Sequence, residues 1–455
     1  MDSYNQIYNS SIYGNTKLFS DVCSVFSDKS LLIYFLKVEV ALSKVQGDLG
    51  IIPKEASIKI QEVANSGFLD MNTFLSQTAI VGFPIVALTE QLSKASGSHG
   101  KFVHWGATTQ DIMDTALMLQ LKDTLKLFEY ELVKIIEAML NLTSSYRKTI
   151  MVGRSQMQHG LPITFGFKVA LWLSPILNHY EQIKKIQNEL LYVQFGGAVG
   201  TLASLESNGL KIRKSLASEL GLIEPKISWH SSREVLIDIM HRVTSLSGTL
   251  GKVGKDLSLL SQTEIGEVKE QQIAHRGVSS TMPQKRNPIS SQGLVISAKN
   301  TSNCMSLIYE TLLNDHERGT GIWQLEWIAI PNLIQHASGG IGLANELLEH
   351  LQVHPEIMQI NFLKTNGFVM SEAVMMALAK KIGKQKAHDL VHEFIEQAQK
   401  ENKTFKEVIE QNEIASQYSK KDIASWLNPQ NYLGSTQFMI DEIIEKAENL
   451  INNEI

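Results

Sequence analysis

The chain has 455 residues, 43% of them hydrophobic, with 42 basic against 47 acidic groups and a net charge of −5. That is the make-up of a globular protein long enough for two or three domains around one substantial core. Its charge balance offers nothing to nucleic acid or to an anionic membrane surface, and two cysteines, Cys23 and Cys304, are too few and too separated for a disulfide framework or a zinc cluster.

The first residues, MDSYNQIYNSS, are polar and lack the apolar core of a signal peptide. The most apolar window, FGFKVALWLSPIL near residue 170, is short and interrupted by Lys168, so a membrane span is not expected. The expectation is a cytoplasmic protein. Up to about residue 105 the pattern reads as shorter helical pieces, separated by Gly50, Pro53, Gly82-Phe83-Pro84 and Ser96-Gly97-Ser98.

His104-Trp105-Gly106-Ala107-Thr108-Thr109-Gln110-Asp111 comes next. Thr108 or Thr109 is a natural N-cap, and Asp111 stands three residues past Thr108 in the manner of a capping box. Capping alone accounts for both threonines. The alternative is that hydroxyls and N–H groups at a helix start bind a substrate carboxylate, and His104 and Trp105 beside them favour it. Behind this cap, Leu121, Leu125, Phe128, Leu132, Ile135, Met139 and Leu142 alternate spacings of three and four, the stripe of a long helix.

Residues 153–162 hold Arg154, Gln156, Gln158 and His159 in what reads as a Gly- and Pro-bounded turn between apolar helices. Burying such polar density unpaired is costly, so it needs a reason. The Gly-rich run 194–201 reads as a flexible helix end. No strand pattern precedes it and no Lys-Ser/Thr follows, which excludes a nucleotide loop. A second stripe follows: Leu236, Ile239, Val243, Leu246, Leu250, Val253, Leu257 and Leu260, with Gly248, Gly251 and Gly254 beside it. None of the ten prolines falls between Pro84 and Pro162 or between Pro225 and Pro283.

Residues 277–288, GVSSTMPQKRNP, have little to offer a core. A Gly/Pro/Ser stretch of this kind ordinarily reads as a solvated connector between helices, and it is the combination of residues that raises the chemical reading. A hydroxyl at Ser279 or Ser280 acts as a base only if its anion is stabilised, and Lys285 with a following helix N-terminus would supply that field. His354-Pro355 marks a last break, after which Lys/Glu-rich helices continue. The expectation is an all-α protein with unusually long central helices, divided as 1–108, 109–353 and 354–455.

The run Ser279-Ser280-Thr281-Met282-Pro283-Gln284-Lys285-Arg286-Asn287-Pro288 fills every fixed position of the Ser-Ser-x-Met-Pro-x-Lys-x-Asn-Pro signature, so the chain resembles the fumarase/aspartase superfamily. The threonine cluster, the Arg/His segment and the Gly-rich run fall in that family's order. HWGATTQD, QHGLPITFG, QFGGAVGTLASL, Trp229-His230 ahead of Arg233-Glu234, and ERGTGIWQLEW from Glu317 to Trp327 look most like the 3-carboxy-cis,cis-muconate cycloisomerase branch. Two departures separate it from other branches. Adenylosuccinate and argininosuccinate lyases carry a histidine, their assigned general acid, where this chain has Gln156. Adenylosuccinate lyases also have an upstream His-Asp pair where this chain reads Val81-Gly82-Phe83-Pro84-Ile85-Val86.

The resemblance implies the three-domain fold of that superfamily around a long central helical bundle, and a homotetramer whose active sites are shared between subunits. It implies proton transfer beside a substrate carboxylate, with Ser279 as the base in the elimination direction and a loop that closes over the substrate. Lys285 and Asn287 would bind the carboxylate, Thr108 and Thr109 a second one with His104 nearby, and Arg318 would join the substrate-binding set. His159 would handle the departing group or orient the attacking carboxylate. The substrate would be a small di- or tricarboxylate, with no metal or organic cofactor. The implied reaction is lactonisation. Alternatives are a fumarate-releasing β-elimination from adenylosuccinate or a nitro- or amino-substituted succinate, and a non-catalytic, crystallin-like relative.

Overall fold

The computed structural model describes residues 16–271 and 277–452. The N-terminal stretch read above for a leader lies outside the described residues. Helices α1 (Lys17–Val25), α2 (Asp28–Asp48), α3 (Lys54–Ala64), α4 (Met71–Val81) and α5 (Pro84–Ala95) open the chain. Their limits follow from side-chain chemistry. The Thr16 hydroxyl accepts from the Phe19 N–H at the start of α1, Ser27 does the same for Ser30 in α2, and the Asp70 carboxylate takes the Asn72 N–H in α4. Gly82, at φ 83°, ends α4 in the left-handed conformation, and Pro84 opens α5 at a position where its missing N–H costs nothing.

The long helices are α6 (Thr109–Ser145), α7 (Phe165–Glu189), α9 (Glu234–Leu260), α10 (Ile289–Glu310) and α11 (Ile322–Glu349), with α8 (Gly209–Leu220) a shorter one between them. All eight residues of the stripe in α9 are buried. In α6 the stripe from Leu121 to Met139 is fully buried, and Leu142 near the helix end is half-buried. Pro175 and Pro331 lie inside α7 and α11, so proline does not break these helices as it does elsewhere in the chain. No helix among the described residues is long and apolar enough to cross a membrane.

One stretch departs from the helical expectation. Residues read as a turn form an antiparallel hairpin, β1 (Ile150–Ser155) with β2 (Gln158–Thr164), joined by Gln156 and Met157 at φ 50° and 61°. A two-residue loop with both residues at positive φ matches the right-handed twist of a hairpin. The residues normally chosen for it are Asn-Gly, which is why Gln-Met gave no signal. Gly160 and Leu161 together oppose Gly153, a bulge that brings Arg154 level with His159. A second short pair joins β3 (Val268–Lys269) to β4 (Gln352–Val353).

The chain divides into two compact units. The first comprises the residues up to Glu131, His179–Gly248 and Ile296–Gly342. It holds a small core of Ile60, Val63 and Leu92 against Leu36, Phe68, Phe102 and Val103. It also contains a fully buried guanidinium, Arg233, which forks onto Asp114 (2.7 and 3.0 Å) and Glu326 (2.8 and 2.5 Å) and lies over the Trp229 ring. The second unit comprises Leu132–Asn178, Thr249–Val295 and Leu343–Ile455. It carries the hairpin, the β3/β4 pair and the C-terminal helices α12 (Pro355–Leu363), α13 (Ser371–Ile382), α14 (Lys384–Glu401), α15 (Phe405–Gln411), α16 (Lys420–Trp426) and α17 (Thr436–Asn452). Their core is built on Val374, Leu378, Leu390, Phe394, Phe405 and Ile423.

Candidate active site

In the first unit the threonine cluster caps the start of α6 and orients an arginine. Asp111 reaches back and accepts the Thr108 N–H at 3.0 Å, the carboxylate arm of a capping box. The Thr108 hydroxyl accepts instead from Arg318 Nη1 at 3.1 Å, and Arg318 Nη2 donates to the Ala198 carbonyl at 2.8 Å. Both of these acceptors are neutral. The guanidinium is therefore oriented without having its charge cancelled by them, and Thr108, Thr109 and Arg318 are all half-buried. His104, at φ 59°, turns its Nδ1 to Glu39 Oε1 at 2.6 Å. Burial opposes a charge on this ring, but Glu39 and then Asp111 outweigh it and raise the imidazole above its usual range.

The Gly-rich run is ordered rather than a loose helix end. The Gly196 and Gly197 N–H groups donate to the two oxygens of Asp111, each at 2.9 Å, and His230 Nε2 lies 2.7 Å from Asp111 Oδ1. Glycine is required at 196, where a Cβ would stand 2.6 Å from Ser228 Oγ and 2.9 Å from His230 Cε1. Asp111, read from the sequence as a cap, is the hub of this region. The available signal was its place in a capping box together with the Trp229-His230 pair.

In the second unit the polar density of residues 153–162 has its reason in Glu267. This carboxylate is fully buried and is forked by Arg154 at 2.8 and 2.6 Å. It also accepts from Asn361 Nδ2 at 2.9 Å. Sequence reasoning missed Glu267, which sits in a Thr-Glu-Ile-Gly-Glu run without any motif. His159 is half-buried directly across the hairpin from Arg154. Burial, then the Arg154 charge, hold its imidazole below the ordinary histidine range, against an opposing pull from Glu267. A neutral ring at neutral pH can accept a proton. Burial pushes the ammonium of Lys168, whose only sequence signal was its intrusion into an apolar helix, below the lysine range against the pull of Asp256. Gln156, at the exposed hairpin tip, leaves His159 as the histidine of this segment.

The 277–288 loop is a closed hairpin-like turn. Val278 bridges Arg286, and the Gly277 carbonyl accepts both the Asn287 N–H at 2.9 Å and Asn287 Nδ2 at 3.1 Å. The residues from Ser280 to Arg286 are exposed and Ser279 is half-buried. Ser279 Oγ accepts the Met282 N–H at 3.0 Å and the Thr281 N–H at 3.3 Å. Two backbone donors on one hydroxyl oxygen stabilise its anion and lower the cost of removing its proton. The expected field from the following helix is corrected here. At the N-terminus of α10 the Ser290 and Ser291 N–H groups donate to the Glu270 carboxylate at 3.2 and 2.8 Å, so a negative charge already occupies that end. The structure brings Asn287 to the loop's own backbone and leaves Lys285 exposed at its tip.

The first unit thus holds a guanidinium oriented by neutral acceptors at a threonine-capped helix, and the second a hydroxyl under backbone N–H donors and a histidine kept below its ordinary range. Comparison with known proteins gives the class its name. A family model described as Lyase matches residues 2–300, and one described as Adenylosuccinate lyase C-terminus matches residues 367–443. The chain belongs to this lyase family, the fumarase/aspartase superfamily. It is 40% identical to an uncharacterized protein of Schizosaccharomyces pombe over 94% of this chain and 96% of that one. It is 36% identical to trans-aconitate decarboxylase 1 of Mycosarcoma maydis, over 93% and 87% of the two chains. With 3-carboxy-cis,cis-muconate cycloisomerase of Acinetobacter baylyi it shares 34%, over 96% and 99%.

Two solved structures superpose with a TM-score of 0.88. One is fumarate lyase from Mesorhizobium sp. BNC1, at 38% identity over 95% of this chain and 99% of that one. The other is 3-carboxy-cis,cis-muconate lactonizing enzyme from Pseudomonas putida, at 32% over 94% and 97%. The fold is the all-α fumarase/aspartase fold that the signature implied.

Proposed function

We propose that the chain is a carboxylate-assisted lyase that lactonises a small polycarboxylate of the 3-carboxy-cis,cis-muconate type. The observation that carries the reading is Ser279 Oγ under the Met282 and Thr281 N–H groups, in a loop with Lys285 at its tip. In the lactonising direction a carboxylate oxygen of the substrate adds to its own double bond. Electron density moves onto the neighbouring carboxylate as an aci-carboxylate, and the Ser279 hydroxyl delivers a proton to the carbon between them. In the eliminating direction the Ser279 oxygen removes that proton and the C–O bond breaks. Arg318 with Thr108 and Thr109 is assigned one carboxylate, Lys285 and Asn287 the one that becomes the aci form, and His159 the attacking or departing oxygen. His104, held by Glu39 at 2.6 Å, stands beside the threonines. No cofactor takes part in this scheme.

The likeness to the fumarate lyase, at 38% identity, favours a second reading in which the leaving group is external and fumarate is released. Incubating the purified protein with carboxymuconate and with substituted succinates separates the two. Loss of the muconate chromophore supports the first, and growth of fumarate absorbance supports the second. Ser279→Ala is expected to keep the fold and reduce turnover by roughly three orders of magnitude or more. Near-normal turnover would overturn the role given to Ser279.

The same reading includes the division 1–108, 109–353 and 354–455, a cytoplasmic location, and a homotetramer with shared sites. Light scattering after size exclusion that returned a monomer at micromolar concentration would refute the assembly.

A further inference from the structure

Asp111 accepts four hydrogen bonds: from the N–H groups of Thr108, Gly196 and Gly197, and from His230 Nε2. Four is the capacity of an ionised carboxylate, which has no proton of its own to give. With the carboxylate as acceptor throughout, the 2.7 Å contact assigns the hydrogen to His230 Nε2. Asp111 is 0% exposed and His230 3% exposed, so this arrangement is shielded from water. His230 Nδ1 is buried without a hydrogen-bond partner, a sign that the ring is retained for what Nε2 does and not for a balanced polar network.

The backbone of His230 is fixed as well. Its carbonyl accepts from Gln110 Nε2 at 2.8 Å, and the neighbouring Trp229 is held by Gln194 and Val193. These contacts tie together the two backbone segments that form the carboxylate clamp. One is the start of α6, which carries Thr108 and Thr109. The other is the Gly-rich run, whose Ala198 carbonyl orients Arg318.

We propose that His230, acting through Asp111, is the positioning residue of this clamp. It does not touch the substrate. It donates to the one carboxylate that holds both segments, so that the threonine hydroxyls and the Arg318 guanidinium meet a substrate carboxylate at a fixed separation. A donor at the Nε2 position is the required feature. Glutamine supplies one there, and alanine does not. This assignment rests on the proposed role of Thr108, Thr109 and Arg318 as a carboxylate clamp.

The test compares full-length wild-type protein with His230→Gln, His230→Ala and Asp111→Asn by two readouts. The first is amide hydrogen exchange, which needs no substrate. His230→Ala and Asp111→Asn are expected to exchange faster in peptides covering 104–111 and 194–202, with the long helices unchanged, while His230→Gln stays close to wild type. The second is steady-state kinetics on whichever polycarboxylate the wild type turns over. There His230→Ala raises KM roughly tenfold or more with kcat within about threefold, and His230→Gln restores KM.

Unchanged exchange in those two segments in His230→Ala overturns the proposal. So does loosening spread over the whole first unit, or a loss of kcat that His230→Gln does not rescue. If the wild type turns over none of the substrates, the functional reading fails, and the exchange comparison still decides whether His230 holds the clamp together.

Discussion

Replacing Arg154 by methionine removes the side chain that forks onto Glu267, whose carboxylate is 0% exposed. Breaking a buried ion pair by deleting one partner typically costs about 3–5 kcal/mol, because an uncompensated charge stays in low dielectric. Arg154 is itself 15% exposed, and Asn361 Nδ2 continues to donate to Glu267 at 2.9 Å. The lower end, about 3 kcal/mol, is therefore expected. The second unit spans some two hundred residues, for which each kcal/mol shifts the midpoint by roughly 2–4 °C. Thermal unfolding of Arg154→Met should accordingly begin about 6–12 °C below wild type.

Adding Glu267→Gln to Arg154→Met removes the stranded charge, keeps an acceptor for Asn361, and should recover at least half of that loss. The pair also sets the pH response. In the wild type, burial and then Arg154 hold His159 low, with Glu267 pulling the other way. A histidine that works as a neutral base loses activity as pH falls through its own pKa. Arg154→Met should move that acid limb to higher pH, and the double variant should move it back down. A midpoint of Arg154→Met within 2 °C of wild type, on the same estimate, or a double variant no more stable than the single, would refute the argument.

Gly277 sits at φ 67°, and a Cβ there would stand 2.6 Å from the Asn287 carbonyl oxygen. Gly277→Ala is expected to distort the Ser279 loop at a cost of about 1–2 kcal/mol. Because that loop adds little to the core, kcat should fall by roughly an order of magnitude with a small change in melting temperature. Glu39→Gln tests the charge on His104, whose imidazole Glu39 and then Asp111 raise above the ordinary histidine range against its burial. A raised histidine stabilises fully below its unfolded value and loses that contribution as pH rises through its folded value. Melting curves from pH 6 to 9 should show a shallower alkaline decline in the variant than in the wild type, and identical slopes would refute the pairing.

Helices were legible because their signal is periodic. The α9 stripe alternates three and four from Leu236 to Leu260, and each of its residues is buried. The 150–164 hairpin was illegible because its two-residue turn is Gln156-Met157, with φ positive at both and no glycine to announce it. In the candidate site the same distinction holds. Ser279, Thr108 and His159 belong to dense polar clusters and could be named from the sequence. Glu267, Glu39 and Glu270 could not, because each acts on a partner far along the chain. Arg154 lies 113 residues before Glu267, and His104 lies 65 residues after Glu39. Such pairs leave no local spacing, and only folding brings them together.

Those distant partners decide which cations are available for chemistry. In the sequence Arg154, Arg233 and Arg318 look alike, each in a short polar motif. In the structure Arg233 forks onto Asp114 and Glu326, and Arg154 onto Glu267, so their charges are spent inside the protein. Arg318 donates to a hydroxyl and a carbonyl, neither of which carries charge. A dicarboxylate entering such a site gains most from the guanidinium whose field its protein partners leave uncancelled. The Glu270 carboxylate works in the opposite sense at α10, occupying a helix end that would otherwise attract an anion. Buried carboxylates thus assign the roles of the basic groups. Arg154 and Arg233 brace the scaffold, while on the proposed reading Arg318 and the loop cation Lys285 are the cations left for a substrate's carboxylates.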